Sequence, residues 1–318
     1  MSRVLSLSMQ IAVALAALIA GVSGGRAANC GPGTLGTSRV IQVGAEGGLE
    51  VGLKTYPQTL PLADHEVILT FDDGPAAKTT PQILAALASE CVRATFFEIG
   101  RNAERLPAIA RREVMEGHTV ASHTYSHPQE TLRFMSDAAA REEVVKGMIA
   151  VEKAAYGQSF GANAPTDLKD LKLHAPFFRF PGFADTPELR QWLAANNVGV
   201  FSVDLWAGDW IKTTPQEELR TVMRRLNRLG KGILLLHDTH QWTADMVPML
   251  LRALKAKGYK IVHMVPGPGR TATIPAPKGW FSETERAINA LKPRLERAAA
   301  RKNGTPIPVK PSTPSGSP

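Results

Sequence analysis

The sequence predicts an α/β fold, a (β/α) barrel built on a mostly parallel sheet of about seven strands. Three observations predict it. Short β-branched or apolar runs alternate with longer segments of helical spacing from residue 66 to residue 264, as in a parallel sheet with crossover helices. The chain has 318 residues, a length that such barrels accommodate as one domain. Finally, the Asp72-Asp73 pair, His123, Arg179, Asp204 and His237 each fall at or just beyond the end of a different run. The ends of barrel strands share one face, whereas an open sheet would hold the first and last of these residues too far apart to meet.

Taken in order, the predicted strands are 66–71, 94–99, 119–122, 177–179, 199–203, 232–236 and 260–264. The predicted helices are 80–89, 106–116, 137–156, 187–196, 215–229 and 243–257. Thr79 or Thr80 ahead of Pro81, and Thr214 ahead of Pro215-Gln216-Glu217, have the form of helix starts, a capping hydroxyl followed by proline in the first turn. Gly117, Gly157, Gly230 and Gly258 stand where helices should stop. Residues 38–43 and 49–53 flank a glycine-rich turn and read as a hairpin. Residues 158–176 form a long connection near the barrel mouth, and the chain leaves the barrel beyond Pro266. Helical spacing returns over 280–300, interrupted by Pro293, before a Pro/Ser-rich tail at 303–318 that reads as disordered.

The N-terminus carries Arg3, an apolar stretch over 11–22 and small residues around Ala27, the layout of a secretory signal peptide spanning 1–27. The apolar stretch is short for a membrane span, so cleavage is favoured over an uncleaved anchor. The expectation is an exported protein, periplasmic or extracellular, with no stable membrane insertion. Cleavage would remove two basic residues and no acid from a chain of net charge +8. A basic surface favours anionic partners, but the charges are scattered and no aromatic-basic motif accompanies them, which argues against nucleic acid. Hydrophobic content of 44% and charged content of 21% are ordinary for a globular protein. The two cysteines, Cys30 and Cys91, either pair, which the chain-entropy view values at roughly 4 kcal/mol, or remain as thiols.

The chemistry lies in two short motifs. Thr70-Phe71-Asp72-Asp73-Gly74-Pro75 closes the first predicted strand, and Ser122-His123-Thr124-Tyr125-Ser126-His127-Pro128 closes the third. Two adjacent carboxylates and two histidines four apart supply three ligands for a divalent metal and leave one carboxylate over, the parts of a hydrolase that needs an open metal site and a general base. The four-residue gap would put both imidazoles on one face of a helical turn. Asp73, His123 and His127 are the candidate ligands. This donor set suits Zn²⁺, with Co²⁺, Ni²⁺ or Mn²⁺ as substitutes. Neighbouring side chains alternate along an extended strand end, so Asp72 points elsewhere and suits the base. His237 follows an apolar run and is suited to protonating a departing amine.

With these two motifs, Phe178-Arg179-Phe180-Pro181-Gly182-Phe183, Asp204 through Trp210, and Leu234-Leu235-Leu236-His237-Asp238 resemble the five ordered motifs of the polysaccharide deacetylase family (carbohydrate esterase family 4, the NodB homology domain). The resemblance covers residues 65–265, flanked by an N-terminal extension at 28–64 and a C-terminal extension at 266–302. It implies a distorted, partly incomplete barrel and a metal-dependent deacetylase acting on a glycan. It carries the base role onto Asp72 and implies that Arg179 pairs with that base. Leu236 or Leu234 would then line the acetyl pocket near Pro181 and Trp210. Asp209 would orient His237, with Asp204 second, and Trp210 or Trp206 would wall the groove. The third motif lacks the family's usual aromatic between proline and glycine, and the fourth is two residues longer than Asp-x-x-Asp-Trp. The expected reaction is removal of N-acetyl groups from amino sugars of a chitin-like or peptidoglycan-like glycan. An O-acetyl esterase of the xylan type and a non-catalytic glycan-binding protein are the alternatives.

Overall fold

The computed structural model describes residues 31–161 and 164–290. The expected signal segment, Cys30, residues 291–300 of the expected C-terminal helix and the Pro/Ser-rich tail lie outside them; Cys91 is in a disulfide. The first two strands, β1 (Thr37–Val43) and β2 (Leu49–Val51), do not form the expected hairpin. They run parallel to other strands, at opposite ends of one sheet. The glycine-rich turn reverses nothing. It carries the chain from one edge of the sheet to the other, because both outer edges offer unpaired backbone groups that a strand must satisfy.

The remaining elements follow the predicted alternation. After β3 (Gln58–Thr59) come β4 (Glu66–Asp72), α1 (Thr79–Ser89), β5 (Thr95–Glu98), α2 (Gly100–Arg105), α3 (Pro107–Met115), β6 (Thr119–Ser122) and α4 (Asp137–Tyr156). Then follow β7 (Phe177–Phe178), α5 (Pro187–Ala195), β8 (Gly199–Phe201), β9 (Leu205–Trp206), α6 (Pro215–Leu229), β10 (Gly232–His237), α7 (Gln241–Ala256), β11 (Lys260–Pro266) and β12 (Ile274–Pro275). All seven expected strands and six expected helices are present; α2, β9 and the antiparallel β3–β12 pair were not foreseen. Residues 283–290 are helical, within the expected C-terminal helix.

The sheet runs β1-β11-β4-β5-β6-β7-β8-β2, with β10 also beside β4 and β9 beside β10. One edge of β4 is covered by β10 from Val67 to Asp72; the other takes β11 at Glu66–Val67 and β5 from Thr70. The sheet therefore forks along β4, and this is the distortion of the barrel. Its seam lies between β2 and β9, where Asp204 accepts from the N–H of Leu53 at 2.9 Å, the N–H of Ile233 at 2.8 Å and the hydroxyl of Thr59 at 2.8 Å.

Strand β4 is buried at every position, as a strand covered on both faces must be. Along β10, Ile233 and Leu235 join the barrel interior while Leu234 and Leu236 join the layer beneath the outer helices. Two helix ends match their sequence signals: Thr214 and Glu217 form a reciprocal capping box, and Gly230 closes α6 in the left-handed region at φ 77°. At α1 the expectation fails. Lys78 precedes the helix and neither threonine caps it. Thr80 sits inside the first turn, where its hydroxyl donates to Asp238.

Candidate active site

Strand ends bring the predicted residues to one face. Asp72 closes β4 and is 2% exposed, Arg179 follows β7 and is fully buried, and His237 closes β10. One Arg179 nitrogen donates to Asp72 Oδ1 at 2.6 Å and to the Thr70 hydroxyl at 2.9 Å. Its other nitrogens donate to the carbonyls of Phe201 and Ser202, and the guanidinium lies 4.0 Å from the centre of the Phe97 ring. Burial raises the Asp72 carboxyl to about 6, against the opposing pull of Arg179 and His237. A carboxylate tuned there is a proton acceptor suited to neutral pH.

Asp73, His123 and His127 converge, with ligand atoms within 4.8 Å of one another. The route differs from the sequence expectation. Residues 123–128 are not a helical turn; Thr124 and His127 take left-handed φ values of 69° and 52°, and the two rings lie 5.2 Å apart. Helix α4 sets this loop. Glu143 accepts from the Ser126 N–H at 2.8 Å and from its hydroxyl at 3.0 Å. One turn on, Gly147 lets the helix backbone touch the loop, since a Cβ there would lie 2.4 Å from the Thr124 carbonyl carbon. Asp73 itself has φ 78°, and its carbonyl accepts from Asn102 of α2.

The donors fit a divalent cation. His123 Nδ1 faces the Arg179 carbonyl at 2.8 Å, so that nitrogen holds the proton and leaves Nε2 with a lone pair. Burial pushes His123 well below the ordinary imidazole value, keeping it neutral. Its Nε2 and that of His127 each lie 3.5 Å from Asp73 Oδ1, a buried oxygen with no hydrogen-bond donor. A lone pair turned towards an unpartnered carboxylate oxygen is unfavourable until a cation joins them, and two nitrogens with one oxygen leave positions open.

On the other side, His237 Nδ1 bonds Asp209 Oδ1 at 2.8 Å while its Nε2 lies 3.9 Å from Asp73 Oδ2. Burial lowers the His237 value, but Asp209, Asp73 and Asp72 outweigh it and bring it to about 9. Asp209 is fully buried; its Oδ2 accepts from the His237 N–H and from Thr243, and its carbonyl accepts from the Trp242 indole. Thr243 has one proton to give, and its oxygen also lies 3.1 Å from Glu218, which burial and Asp209 raise to about 8.

The pocket expectations are met unevenly. Leu236 is fully buried beneath the helices, and Leu234 with it; alternation puts Leu235, not Leu236, on the face of His237. Asp204 serves the seam and makes no contact with His237, so the second choice of orienting acid is corrected. Pro181 is buried in a short 3-10 turn, while Phe183 stacks on Trp206 at 6.5 Å. Trp206, Trp210 and His237 follow edge to face at 5.7 and 6.1 Å, with Trp210 49% exposed. Lys54 lies over Trp206 and pairs with Glu283, and the Trp280 indole donates to the Leu53 carbonyl. Sequence reasoning missed Glu143, Thr243, Glu218, Phe183 and Lys54; only the fourth lay within a recognisable motif.

The profile of the polysaccharide deacetylase family matches residues 60–166. A peptidoglycan-N-acetylglucosamine deacetylase of Bacillus cereus is 30% identical over 214 residues, covering 66% of this chain and 70% of that protein. A chitooligosaccharide deacetylase of a Bradyrhizobium species is 43% identical over 216 residues, covering 64% of this chain and 90% of that one. The chain belongs to the polysaccharide deacetylase family. A solved peptidoglycan deacetylase of Bdellovibrio bacteriovorus superposes with a TM-score of 0.60 at 26% identity, covering 72% of this chain and 59% of that one. Other matching relatives are longer, and the chain spans 38% of their length.

Proposed function

We propose that this protein is an exported, metal-dependent hydrolase that removes N-acetyl groups from amino sugars of a glycan, releasing acetate and the free amine. The observation that carries the reading is the placement of two complementary groups on either side of the ligand triad. Asp72 Oδ2 lies 4.0 Å from His123 Nε2, and His237 Nε2 lies 3.9 Å from Asp73 Oδ2. One group is tuned to accept a proton and the other to give one.

Asp73, His123 and His127 would hold the cation, with Zn²⁺ the first choice for this donor set. When bound, the ion supplies Lewis acidity towards the acetyl carbonyl and the attacking water. Asp72, fixed by Arg179, takes a proton from that water as its oxygen adds to the carbonyl carbon. His237, fixed by Asp209, gives its proton to the nitrogen as the C–N bond breaks, because an amine anion leaves poorly. The aromatic run Phe183–Trp206–Trp210 offers sugar rings a wall on which to stack.

The names of the relatives, peptidoglycan and chitooligosaccharide deacetylases, support an N-acetylated glucosamine glycan as substrate. The signal-like segment at 1–27 supports export, and no helix among the described residues is long and apolar enough to cross a membrane. Acetate release by purified protein from chitooligosaccharides, peptidoglycan and acetylated xylan, before and after chelation, tests the reading. No release from either N-acetylated glycan, or release unaffected by chelation, would overturn it.

A further inference from the structure

Behind the active-site face lies a second group of carboxylates. Glu98 at the end of β5, Glu113 of α3 and Asp238 after β10 are each 0% exposed, and one oxygen from each lies within 4.8 Å of the other two. Among the described residues no donor outside the trio reaches either oxygen of Glu98, either oxygen of Glu113 or Oδ1 of Asp238; Glu98 and Glu113 hydrogen-bond each other, and none of the three is in an ion pair with lysine, arginine or histidine. Burial and neighbouring carboxylates raise all three carboxyls, so without a cation the group must hold protons to stay together, and a cation would take their place.

A separate group points to the same place. Phe97 and Ala121 face the barrel interior, so the next residues, Glu98 and Ser122, face the helices. They are register partners in neighbouring strands. The Ser122 hydroxyl is 2% exposed and has no partner, and it stands beside Glu98 on the face where the three acids meet. Asp238 is held by Thr80 through Oδ2, leaving Oδ1 free, and a Cβ on Gly74 would lie 2.2 Å from that Oδ2. The motif that carries Asp72 and Asp73 thus packs directly on this group.

We propose that Glu98, Glu113 and Asp238 form a second cation site, distinct from the Asp73–His123–His127 triad, that takes an oxygen-ligated dication such as Mn²⁺ or Ca²⁺. Oxygen-only donors select hard cations over Zn²⁺. The Glu98 carbonyl also accepts from the His123 N–H at 2.8 Å, so an ion here braces the strand end that carries a ligand of the triad.

The test is ion counting with Mn²⁺ on full-length protein, stripped with chelator, reloaded and exchanged into metal-free buffer at mildly alkaline pH. Asp73→Asn/His127→Ala should retain one Mn²⁺ per chain, and Glu98→Gln/Glu113→Gln should lose that ion while keeping any held by the triad. The Mn²⁺ resonance spectrum of the retained ion should show no nitrogen coupling. A stripped and reloaded Asp73→Asn/His127→Ala protein that is folded and holds no Mn²⁺ overturns the site, and so does an ion that survives Glu98→Gln/Glu113→Gln in that background. If Glu98→Gln/Glu113→Gln does not fold, the first variant still decides. The wild-type count reports separately on the triad: a single ion that survives Asp73→Asn/His127→Ala would support the second site and count against the triad.

Discussion

Glu143 of α4 grips Ser126 twice, through the backbone N–H and through the hydroxyl. Ser126 precedes His127, so a helix carboxylate outside the motif sets the position of a candidate ligand. Glu143→Ala should leave the protein folded and lower its affinity for Zn²⁺ by about 10–100-fold, the usual worth of a partner behind a ligand. Zinc titration followed by competition with a chelating dye measures this, and unchanged affinity would detach Glu143 from the site.

Asp72 and Asp73 should fail differently although they are neighbours. Asp73→Asn removes an anionic ligand, so metal content and activity should fall together. Asp72→Asn keeps the three ligands and should lower turnover by ~10²–10⁴-fold with metal retained. Metal analysis beside acetate-release rates separates the two, and the reverse pattern would exchange their roles.

The pH dependence follows from the two tuned groups. The base must be ionised, so activity should rise with pH through the Asp72 value near 6. The acid must be protonated, so activity should fall as pH rises through the His237 value near 9. Asp209→Asn removes the strongest of the charges raising His237 and should move the alkaline limb down while leaving the acid limb in place. Profiles of kcat/KM for both proteins check this, and an unmoved alkaline limb would separate it from His237.

Gly147 should resist the usual helix-stabilising exchange. Alanine in a helix interior is worth about 1 kcal/mol over glycine, but here its Cβ would lie 2.4 Å from the Thr124 carbonyl carbon. Such overpacking costs about 1–3 kcal/mol, so Gly147→Ala should lower Tm and weaken metal binding together. A raised Tm with full metal affinity would contradict the contact.

Export should remove the first ~27 residues, by the small-residue rule at the cleavage site. N-terminal sequencing of secreted protein should begin at or near Ala28. A secreted form beginning at Met1 would rule out cleavage.

Strands such as β4 were legible because a run buried on both faces leaves a continuous apolar trace, and Asp72, Arg179 and His237 were legible because each interrupts such a run where it ends. What escaped was set by contacts distant in sequence. The turn at 44–48 carries hairpin chemistry, yet the free edges of β8 and β11 decided the pairing of β2 and β1. The His123–His127 spacing imitates a helical turn, and only Glu143 and Gly147 of α4 reveal the left-handed loop. Leu236 was misplaced by one residue, an error that counting back in twos from His237 corrects.

The pairing of β1 with β11 has a consequence for how the molecule is made. The Ser38 hydroxyl donates to the carbonyl of Ile261, 223 residues further along the chain, so a strand synthesised among the first waits for one synthesised among the last. Contacts of such separation slow folding because the intervening chain must be closed before they form. The nascent polypeptide therefore cannot complete its sheet on the ribosome until β11 has emerged. Under the proposed export, that delay would keep the chain passable through a translocation pore until its final strand is released.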